Sequence, residues 1–258
     1  MLSGGVPLSK VFFLPILKDI QIDPETLNGT EAGFAYKFAD LDSHGSKREK
    51  KRRAWMDVGV GVELMTSIDM KKSERVVLLD EQGQAIGSAR KESVHTADTP
   101  LHSALSIFLF DGMGSMLVQR RALSKTTWPG VWSNACCGHP APGEDLMAAA
   151  SRRLQQELGL EGISLQVALP HFRYQAKWEG LLENEMCPVL IGTCPSGNSI
   201  RFNTDEVHEV NWIPWQPFAT ASVAQGKSEY DHFSPWSLLE ARQLRESPAL
   251  QTLLGPEA

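Results

Sequence analysis

Two adjacent thiols lie beside a glycine and a histidine in NACCGHP, at residues 134–140. Cys136 and Cys137 could be inert core, part of a metal site, a disulfide, or one catalytic thiol with an uninvolved neighbour. Consecutive side chains on a strand point to opposite faces of the sheet. We therefore expect the two thiols to lie in different environments, an arrangement that a disulfide between them would abolish.

A second group of residues has the chemistry of a metal site. His95 and His102 occur in HTADTPLH, and His139 follows the two cysteines. In the segment ENE, Glu183 and Glu185 point to the same side if the segment is a strand. Since the surrounding run is apolar, two carboxylates there are costly unless they are paired, protonated or metal-bound. Three imidazoles and two carboxylates suit Zn²⁺, Mn²⁺ or Mg²⁺. The alternative is that both glutamates pair with basic residues at a sheet edge.

The segment after the two cysteines predicts an amphipathic helix. Leu146, Ala150, Leu154 and Leu158 recur at helical spacing, and Gly159 supplies a C-terminal stop. A second helix is predicted in SPWSLLEARQLRE near the end of the chain, because a serine N-cap precedes a proline at its first position.

Most of the remaining segments after residue 73 favour strands. RVVLL and AIGSAR flank one turn, and ALSIFLF and SMLVQRR flank another. Further strand-like stretches are VWSNACC and residues 163–169, 171–178, 184–193 and 207–213. Thr99-Pro100 argues against a helix, so His95 and His102 are expected on a loop leading into a strand at 103–110. Several strands with a few helices predict an α/β or α+β class with a mixed β-sheet core flanked by helices.

The predicted helix and its flanks resemble the Nudix box, a loop–helix–loop motif. The residues in register with that motif are Gly138, Glu144, Arg152, Leu154, Glu157, Gly159 and Leu160. Typical Nudix hydrolases use a carboxylate cluster in this motif to hold divalent cations, which prefer oxygen ligands. Here Arg153 and Gln156 replace two of the three carboxylates, and Glu157 alone is kept. The resemblance implies a Nudix fold that binds a diphosphate without the usual hydrolytic cluster; the alternative is an ordinary amphipathic helix.

Five stretches in order carry a second, more specific resemblance. They are HTADTPLH, RRALSKTTWPGVWSNACCGHP, FRYQA, ENEMCP and FSPW. From about Glu74 to Glu246 the chain resembles the type 1 isopentenyl-diphosphate Δ-isomerases. That family interconverts isopentenyl diphosphate and dimethylallyl diphosphate. A Nudix hydrolase of a nucleoside diphosphate derivative is the alternative, and a zinc-stabilised binding module is disfavoured because CC followed by GH lacks the spacing of structural zinc sites.

The resemblance implies a role for each matching residue. A divalent metal (Mn²⁺, Mg²⁺ or Zn²⁺) is implied at His95, His102, His139, Glu183 and Glu185. The implied catalytic residues are Cys137, Glu185 and Tyr174. A Mg²⁺ bound with the diphosphate is implied at Glu157 and the backbone carbonyl of Cys137. The implied substrate-binding residues are Lys91, Arg121, Lys125, Arg153 and Trp236.

The implied reaction moves a double bond by one position. It needs a proton donor and a proton acceptor placed across a small carbon skeleton. The face of an aromatic ring would stabilise a cationic intermediate. Three tryptophans could supply such a face: Trp128, Trp132 and Trp236. For Trp132, simple core packing is an equally good explanation. Cationic neighbours could lower the pKa of Cys137.

Composition and charge bound the remaining questions. The net charge of -6 argues against a globally basic nucleic-acid binder. Four cysteines in 258 residues indicate a reduced compartment, so a cytoplasmic location is expected. No apolar run is long enough to span a membrane. The expected partner is a small allylic or homoallylic diphosphate, and the expected state is a monomer.

The sequence changes character near residue 73. Residues 1–73 lack sustained periodicity and are expected to form an N-terminal extension that is partly disordered, and residues 74–258 to form the Nudix-type isomerase domain. The basic run KREKKRR at 47–53 could contact nucleic acid or an anionic membrane, but a solvated linker is the favoured interpretation.

Overall fold

The computed structural model describes residues 35–41, 47–53, 74–194, 199–224 and 227–255. The chain divides into two compact units, Met1–Asp69 and Met70–Ala258. In the first unit, strand β1 (Ala35–Leu41) pairs antiparallel with β2 (Lys47–Arg53). The basic run therefore forms a strand rather than the favoured linker, because its backbone is paired along its length. The predicted disorder lies outside the described residues.

The second unit contains the remaining described elements. Its strands are β3 (Arg75–Leu79), β4 (Ala85–Arg90), β5 (His102–Ser103), β6 (Leu105–Phe110), β7 (Ser115–Arg121), β8 (Trp132–Asn134), β9 (Cys136–Gly138), β10 (Leu165–Leu169), β11 (Arg173–Trp178), β12 (Leu181–Met186), β13 (Val189–Thr193) and β14 (Val207–Pro214). Its helices are α1 (Lys91–Val94), α2 (Leu146–Leu158), α3 (Trp215–Ala221), α4 (Pro235–Leu244) and α5 (Pro248–Leu254). Among the described residues, no helix combines the length and the apolar character needed to cross a bilayer.

The strands of the second unit form two mixed sheets. The larger has the order β10–β13–β6–β7–β14, with β9 paired to β6 and β8 to β7. The smaller has the order β11–β12–β5–β3–β4. Each sheet contains one parallel pair, β13 with β6 and β12 with β5, among antiparallel ones. The predicted α+β class with a mixed-sheet core is confirmed.

Three segments predicted as single strands are divided in the structure. The first, 103–110, is split at Ala104 into β5 in the smaller sheet and β6 in the larger, and His102, expected on a loop, is part of β5. The stretch 184–193 belongs to β12 in the smaller sheet and β13 in the larger, with the break at Cys187 and Pro188. Proline has no N–H to continue a ladder, so the chain leaves one sheet there and enters the other. VWSNACC is likewise divided at Ala135 into β8 and β9, which pair with different neighbours.

Alternating residues of β6 contribute to two apolar clusters. Ile107 and Leu109 lie in a cluster with the buried residues of α2, whereas Phe108 and Phe110 lie in a cluster with Trp215. Cys136 belongs to the α2 cluster, and Cys137 packs against the other one. The separation of the two thiols that strand parity predicts is therefore confirmed.

Helix α2 begins and ends as its sequence predicts. The Asp145 side chain accepts hydrogen bonds from the backbone N–H groups of Met147 and Ala148. At the other end Gly159 adopts a left-handed conformation, with φ of 64°, and its N–H caps the helix. Between these ends the helix buries Arg153 and Glu157 together with its apolar face.

We expect Gly159→Ala to destabilise the protein more than Gly162→Ala, a control with the same backbone constraint. Both glycines have positive φ, 64° and 68°. A Cβ at Gly159 would lie 2.8 Å from the Arg201 carbonyl oxygen, whereas nothing lies within 4 Å of one at Gly162. Gly162→Ala should cost about 1 kcal/mol, and the enforced shift at Arg201 should add about 1–3 kcal/mol to Gly159→Ala. Urea unfolding measures both, and equal costs would contradict this account.

Candidate active site

A cavity of about 500 Å³ opens in the second unit. Every predicted site residue lines it except His102, which is 0% exposed and packs against the rings of His95 and His139 at centroid distances of 5.3 Å. The structure thus brings together residues that the sequence spreads from position 91 to position 236.

Four of the predicted metal-ligating residues converge on one point. One ligand atom from each of His95, His102, His139 and Glu185 lies within 4.8 Å of the other three. Four separate segments supply these atoms: the loop after α1, strand β5, the loop after β9, and strand β12. Strands β12 and β5 pair in parallel with Glu185 opposite His102, which fixes the centre of the group.

Glu183 lies beside this group but outside it. Its Oε2 is 2.8 Å from Nε2 of His95. Strand β12 lies inside the smaller sheet, between β11 and β5, and its two glutamates face histidines rather than lysines or arginines. The alternative that the pair binds basic residues at a sheet edge is therefore wrong.

The donor atoms of this group fit a divalent cation. Nε2 of His95, Nε2 of His102 and Nδ1 of His139 are buried and make no hydrogen bond. The first two lie 2.8 and 3.4 Å from carboxylate oxygens, but not in the alignment of a hydrogen bond. Buried nitrogens without partners are costly. Burial lowers the pKa of His139 to about 4, so this imidazole is neutral, the form that binds metals. A bound cation would supply the missing partner.

Tyr174 and two histidines hold the Glu185 carboxylate from both sides. Tyr174 and Glu185 are opposite each other on β11 and β12, and the tyrosine hydroxyl donates to Oε2 at 2.8 Å. Oε1 lies 3.0 Å from His139 Nε2 and 3.4 Å from His102 Nε2. Burial would raise the pKa of Glu185, but the interactions of its carboxylate with the His102 and His139 imidazoles outweigh it and hold that pKa well below its usual range. Burial and the charge of Glu185 raise the pKa of Tyr174, so the tyrosine keeps its proton.

The Cys137 thiol reaches the cavity from the other apolar cluster. Its Sγ donates to Oδ1 of Asn134 at 3.4 Å and lies 3.6 Å from Oγ of Ser106. Burial is the largest cause that raises the pKa of Cys137 to about 12. Cationic neighbours therefore do not set this pKa, because burial is the largest cause and the charges of Glu157 and Glu185 act in the same direction.

Each of the four predicted diphosphate-binding cations lines the cavity and already has a partner. Lys91 Nζ lies 2.7 Å from Oε2 of Glu74, and Lys125 forms an ion pair with Glu206. Arg153 pairs with Glu157 along α2 and lies 3.6 Å from Glu206. The Arg121 guanidinium donates to the carbonyl oxygens of Trp128 and Thr127 at 3.1 and 3.0 Å.

Three residues of this charged network escaped the sequence prediction. Glu74 and Glu206 balance the cations, and Gln119 donates to Oε2 of Glu157 at 3.0 Å. Burial would raise the pKa of Glu206, but Lys125 and Arg153 lower it to about 2. The only sequence signal for Glu206 is a polar loop before β14, which does not distinguish it from a solvated acid.

Aromatic rings form one wall of the site around Trp236. The Trp236 ring lies 5.8 Å from that of Tyr174 and makes an edge contact with Trp128 at 5.4 Å. The guanidinium of Arg121 lies 5.8 Å from the Trp236 ring centroid. Trp132 instead stacks on Phe233 and does not line the cavity, so its role is core packing.

Comparisons with known proteins find a matching domain family and several similar chains. The sequence model of the NUDIX domain matches residues 100–237. An isopentenyl-diphosphate Delta-isomerase of Mycolicibacterium vanbaalenii is 49% identical over 58% of this chain and 82% of its own length. One of Paenarthrobacter aurescens is 44% identical over 73% of this chain and 100% of its own length. A crystal structure from Deinococcus radiodurans has a TM-score of 0.48 at 17% identity, covering 68% of this chain and 99% of that one.

The fold and the matched segment define a Nudix domain, which confirms the predicted fold. Within that superfamily, the chain belongs to the isopentenyl-diphosphate Delta-isomerase family. The predicted class of enzyme, an isomerase, is confirmed, and the hydrolase alternative is set aside. The residues that depart from the Nudix box agree with this outcome, because Arg153 pairs with Glu157 where a hydrolase has a further carboxylate.

Proposed function

We propose that this cavity interconverts isopentenyl diphosphate and dimethylallyl diphosphate, with Cys137 and Glu185 as the two groups that transfer protons. The observation that carries the proposal is that one cavity holds a thiol, a carboxylate and four cationic side chains. The thiol and the carboxylate can exchange protons with a carbon skeleton, and the cations can hold a diphosphate. The hydrocarbon part of the substrate thus faces the thiol and the carboxylate, and its diphosphate faces the cationic side chains.

The proposed reaction adds one proton and removes another. In one direction a proton is added to the terminal carbon of the double bond, and a second proton leaves the carbon two bonds away, so the double bond moves by one position. One of Cys137 and Glu185 donates and the other accepts, and the two roles exchange in the reverse direction. Tyr174 and His139 keep the Glu185 carboxylate fixed through hydrogen bonds at 2.8 and 3.0 Å.

The aromatic wall serves the cationic character of the intermediate. Trp236 presents an aromatic surface at the cavity, supported by its contacts with Tyr174 and Trp128. Cations are attracted to the face of a tryptophan ring, by about 2 kcal/mol where water is excluded. The same wall keeps water away from the carbon skeleton. Water would otherwise react with the cationic intermediate to give an alcohol.

The charge of the cavity supports a Mg²⁺ that arrives with the diphosphate. Seven carboxylates and four cationic side chains line the cavity, so a diphosphate alone would meet a net negative lining. A hard divalent cation bound with the diphosphate would offset this repulsion, and carboxylate oxygens are ligands that suit such a cation. We assign its protein ligands to Glu157 and the backbone carbonyl of Cys137, with Lys91, Arg121, Lys125 and Arg153 as the cations around the diphosphate.

The histidine group is the proposed site of a second divalent metal, Mn²⁺, Mg²⁺ or Zn²⁺. His95, His102, His139 and Glu185 supply its ligands, with Glu183 beside them. When bound, this metal supplies positive charge next to Glu185, which makes a proton on that carboxyl group easier to release. The histidines themselves fix the orientation of the carboxylate.

The deciding experiment follows labelled isopentenyl diphosphate with Mg²⁺ supplied. We expect conversion to an acid-labile allylic diphosphate and its reversal from dimethylallyl diphosphate. A panel of nucleoside diphosphate derivatives, assayed for release of phosphate or nucleoside monophosphate, serves as the comparison. Hydrolysis of that panel without isomerisation would overturn the proposal.

Lys125→Gln should weaken substrate binding more than it slows turnover. Lys125 lines the cavity, and loss of one charge-assisted hydrogen bond to phosphate raises KM by about 10- to 100-fold. Lys177→Gln is the matched control, because Lys177 is exposed on β11 and does not line the cavity. Steady-state kinetics of both variants give the two KM values, and an unchanged KM for Lys125→Gln would remove this residue from the diphosphate site.

Other predictions are kept as proposals. We infer that residues 74–258 form the isomerase domain and that residues 1–73 are an appended extension, so truncation near residue 73 should leave most of the turnover intact. The monomeric state, the cytoplasmic location and the lack of nucleic-acid binding also stay predictions.

A further inference from the structure

A buried polar cluster surrounds the Cys137 sulfur outside the cavity lining. Its members are each at most 1% exposed, and none lines the cavity: Ser106, Ser133, Asn134, Ser237 and Glu240. Buried polar groups of this kind specify one arrangement when all are satisfied and are costly when they are not. Apolar packing alone therefore does not explain why these polar side chains are buried beside the sulfur.

Glu240 is the most unusual member. It lies on α4, it is 0% exposed, and its Oε2 is 2.9 Å from Oγ of Ser106. Its Oε1 is buried without a hydrogen-bond partner. A buried carboxylate with so little compensation is far more costly than a neutral carboxylic acid. Burial raises the pKa of Glu240 well above its usual range, which agrees with a neutral acid.

Ser106 lies between Glu240 and Cys137 and has only one proton to donate. Nδ2 of Asn134 approaches Ser106 Oγ at 2.9 Å and also contacts the carbonyl oxygen of Ile107 at 2.9 Å, which fixes Nδ2 as the donor. Ser106 Oγ therefore accepts from Asn134. Its own proton can go either to Glu240 at 2.9 Å or to the Cys137 sulfur at 3.6 Å.

The protonation state of Glu240 decides between these two directions. A carboxylate can only accept, so it would take the single Ser106 proton and leave none for the sulfur. A neutral acid can donate its own proton to Ser106 Oγ instead, which leaves the Ser106 proton for the sulfur. The sulfur in turn can donate its proton to Oδ1 of Asn134 at 3.4 Å.

We propose that Glu240 is a positioning residue for Cys137, acting as a neutral acid that orients the Ser106 hydroxyl toward the sulfur. Asn134 Oδ1 then accepts a hydrogen bond from the thiol, and the Ser106 hydroxyl donates one to the sulfur after the thiol proton has moved to the substrate. Both forms of Cys137 that the reaction visits keep a hydrogen-bond partner. This inference rests on the proposed function, in which Cys137 exchanges a proton with the substrate.

The test compares Glu240→Leu with Glu240→Gln. Glutamine is neutral and can donate an N–H to Ser106, so Glu240→Gln should keep kcat near that of the wild type. Leucine cannot donate, so Ser106 Oγ loses the hydrogen bond that holds its hydroxyl toward the sulfur. We expect kcat to fall by about tenfold, the effect of one lost hydrogen bond, with KM for the substrate unchanged. Gln243→Leu, on the exposed side of the same helix, controls for the surroundings of α4.

Thermal unfolding and alkylation of Cys137 test the role of Glu240 independently of turnover. Leucine in place of a buried acid should leave the thermal unfolding temperature equal or higher, so a lower kcat would not arise from unfolding. Alkylation of Cys137 by iodoacetamide at fixed pH, followed by peptide mass spectrometry, does not depend on isomerisation, and only the Leu variant should react more slowly. Wild type that alkylates as expected but does not isomerise would reject the proposed function alone. Equal kcat and equal alkylation in Glu240→Leu and wild type, or equal losses in Leu and Gln, would overturn the role of Glu240.

Discussion

Cys137→Ala is expected to lower the rate of isomerisation by about 10²- to 10⁴-fold, the usual contribution of a group that transfers a proton. The sulfur reaches the cavity, and alanine leaves no group at that position that can carry a proton. Binding of the diphosphate does not use this side chain, so KM should change little. The rate of formation of the acid-labile product from labelled isopentenyl diphosphate measures the loss.

Cys136→Ala is the matched control and should be nearly silent in catalysis. Cys136 is the preceding residue on β9, it is 0% exposed, and it packs in the α2 cluster rather than at the cavity. Loss of its sulfur should cost about 1 kcal/mol of stability. Thermal unfolding separates that cost from an effect on rate. Turnover close to wild type in Cys137→Ala, or comparable losses in both variants, would show that the thiol is assigned to the wrong cysteine.

The two cysteines also show how far the sequence determines this site. The alternation of side chains along a strand requires only the local backbone, so it correctly separates Cys136 from Cys137. The same local reasoning places Glu183 and Glu185 on one face and ends α2 at Gly159. The resemblance implies that distant motifs meet in one site. In the structure every residue that it implies lines one cavity, except the fully buried His102.

Features that depend on tertiary contacts were not predictable in the same way. The pKa of Cys137 is raised by burial, and the polar cluster around its sulfur includes Glu240, which is 103 positions later in the chain and has no motif of its own. Glu206 pairs with Lys125 across 81 positions. The break between β12 and β13 follows from Pro188. Proline is a local signal for such a break, but the strand-like residues on both sides led to the prediction of one continuous strand. The fold determines which charged groups pair and which side chains are buried, and neither can be read directly from a single sequence.

Glu185→Gln is expected to lower turnover by about 10²- to 10⁴-fold and not to be rescued by added metal. Glutamine has the shape of the carboxyl group and can still accept the hydrogen bond from Tyr174 Oη. It has no negative charge and does not exchange a proton at neutral pH, so the proton-transfer role of Glu185 is lost and its ligand role is weakened. Metal content measured by mass spectrometry should fall at the same time.

Glu183→Gln separates those two roles. Glu183 lies on the same face of β12 and 2.8 Å from His95 Nε2, but outside the group of four converging ligand atoms. If its contribution is to hold the metal, Glu183→Gln should lose metal and activity together and recover both in excess Mn²⁺. Glu185→Gln should recover metal under the same conditions while its turnover stays low, because a filled site still lacks the group that carries the proton. Recovery of turnover by Glu185→Gln in excess Mn²⁺ would assign Glu185 to the metal alone and leave the proton transfer to Tyr174 and Cys137.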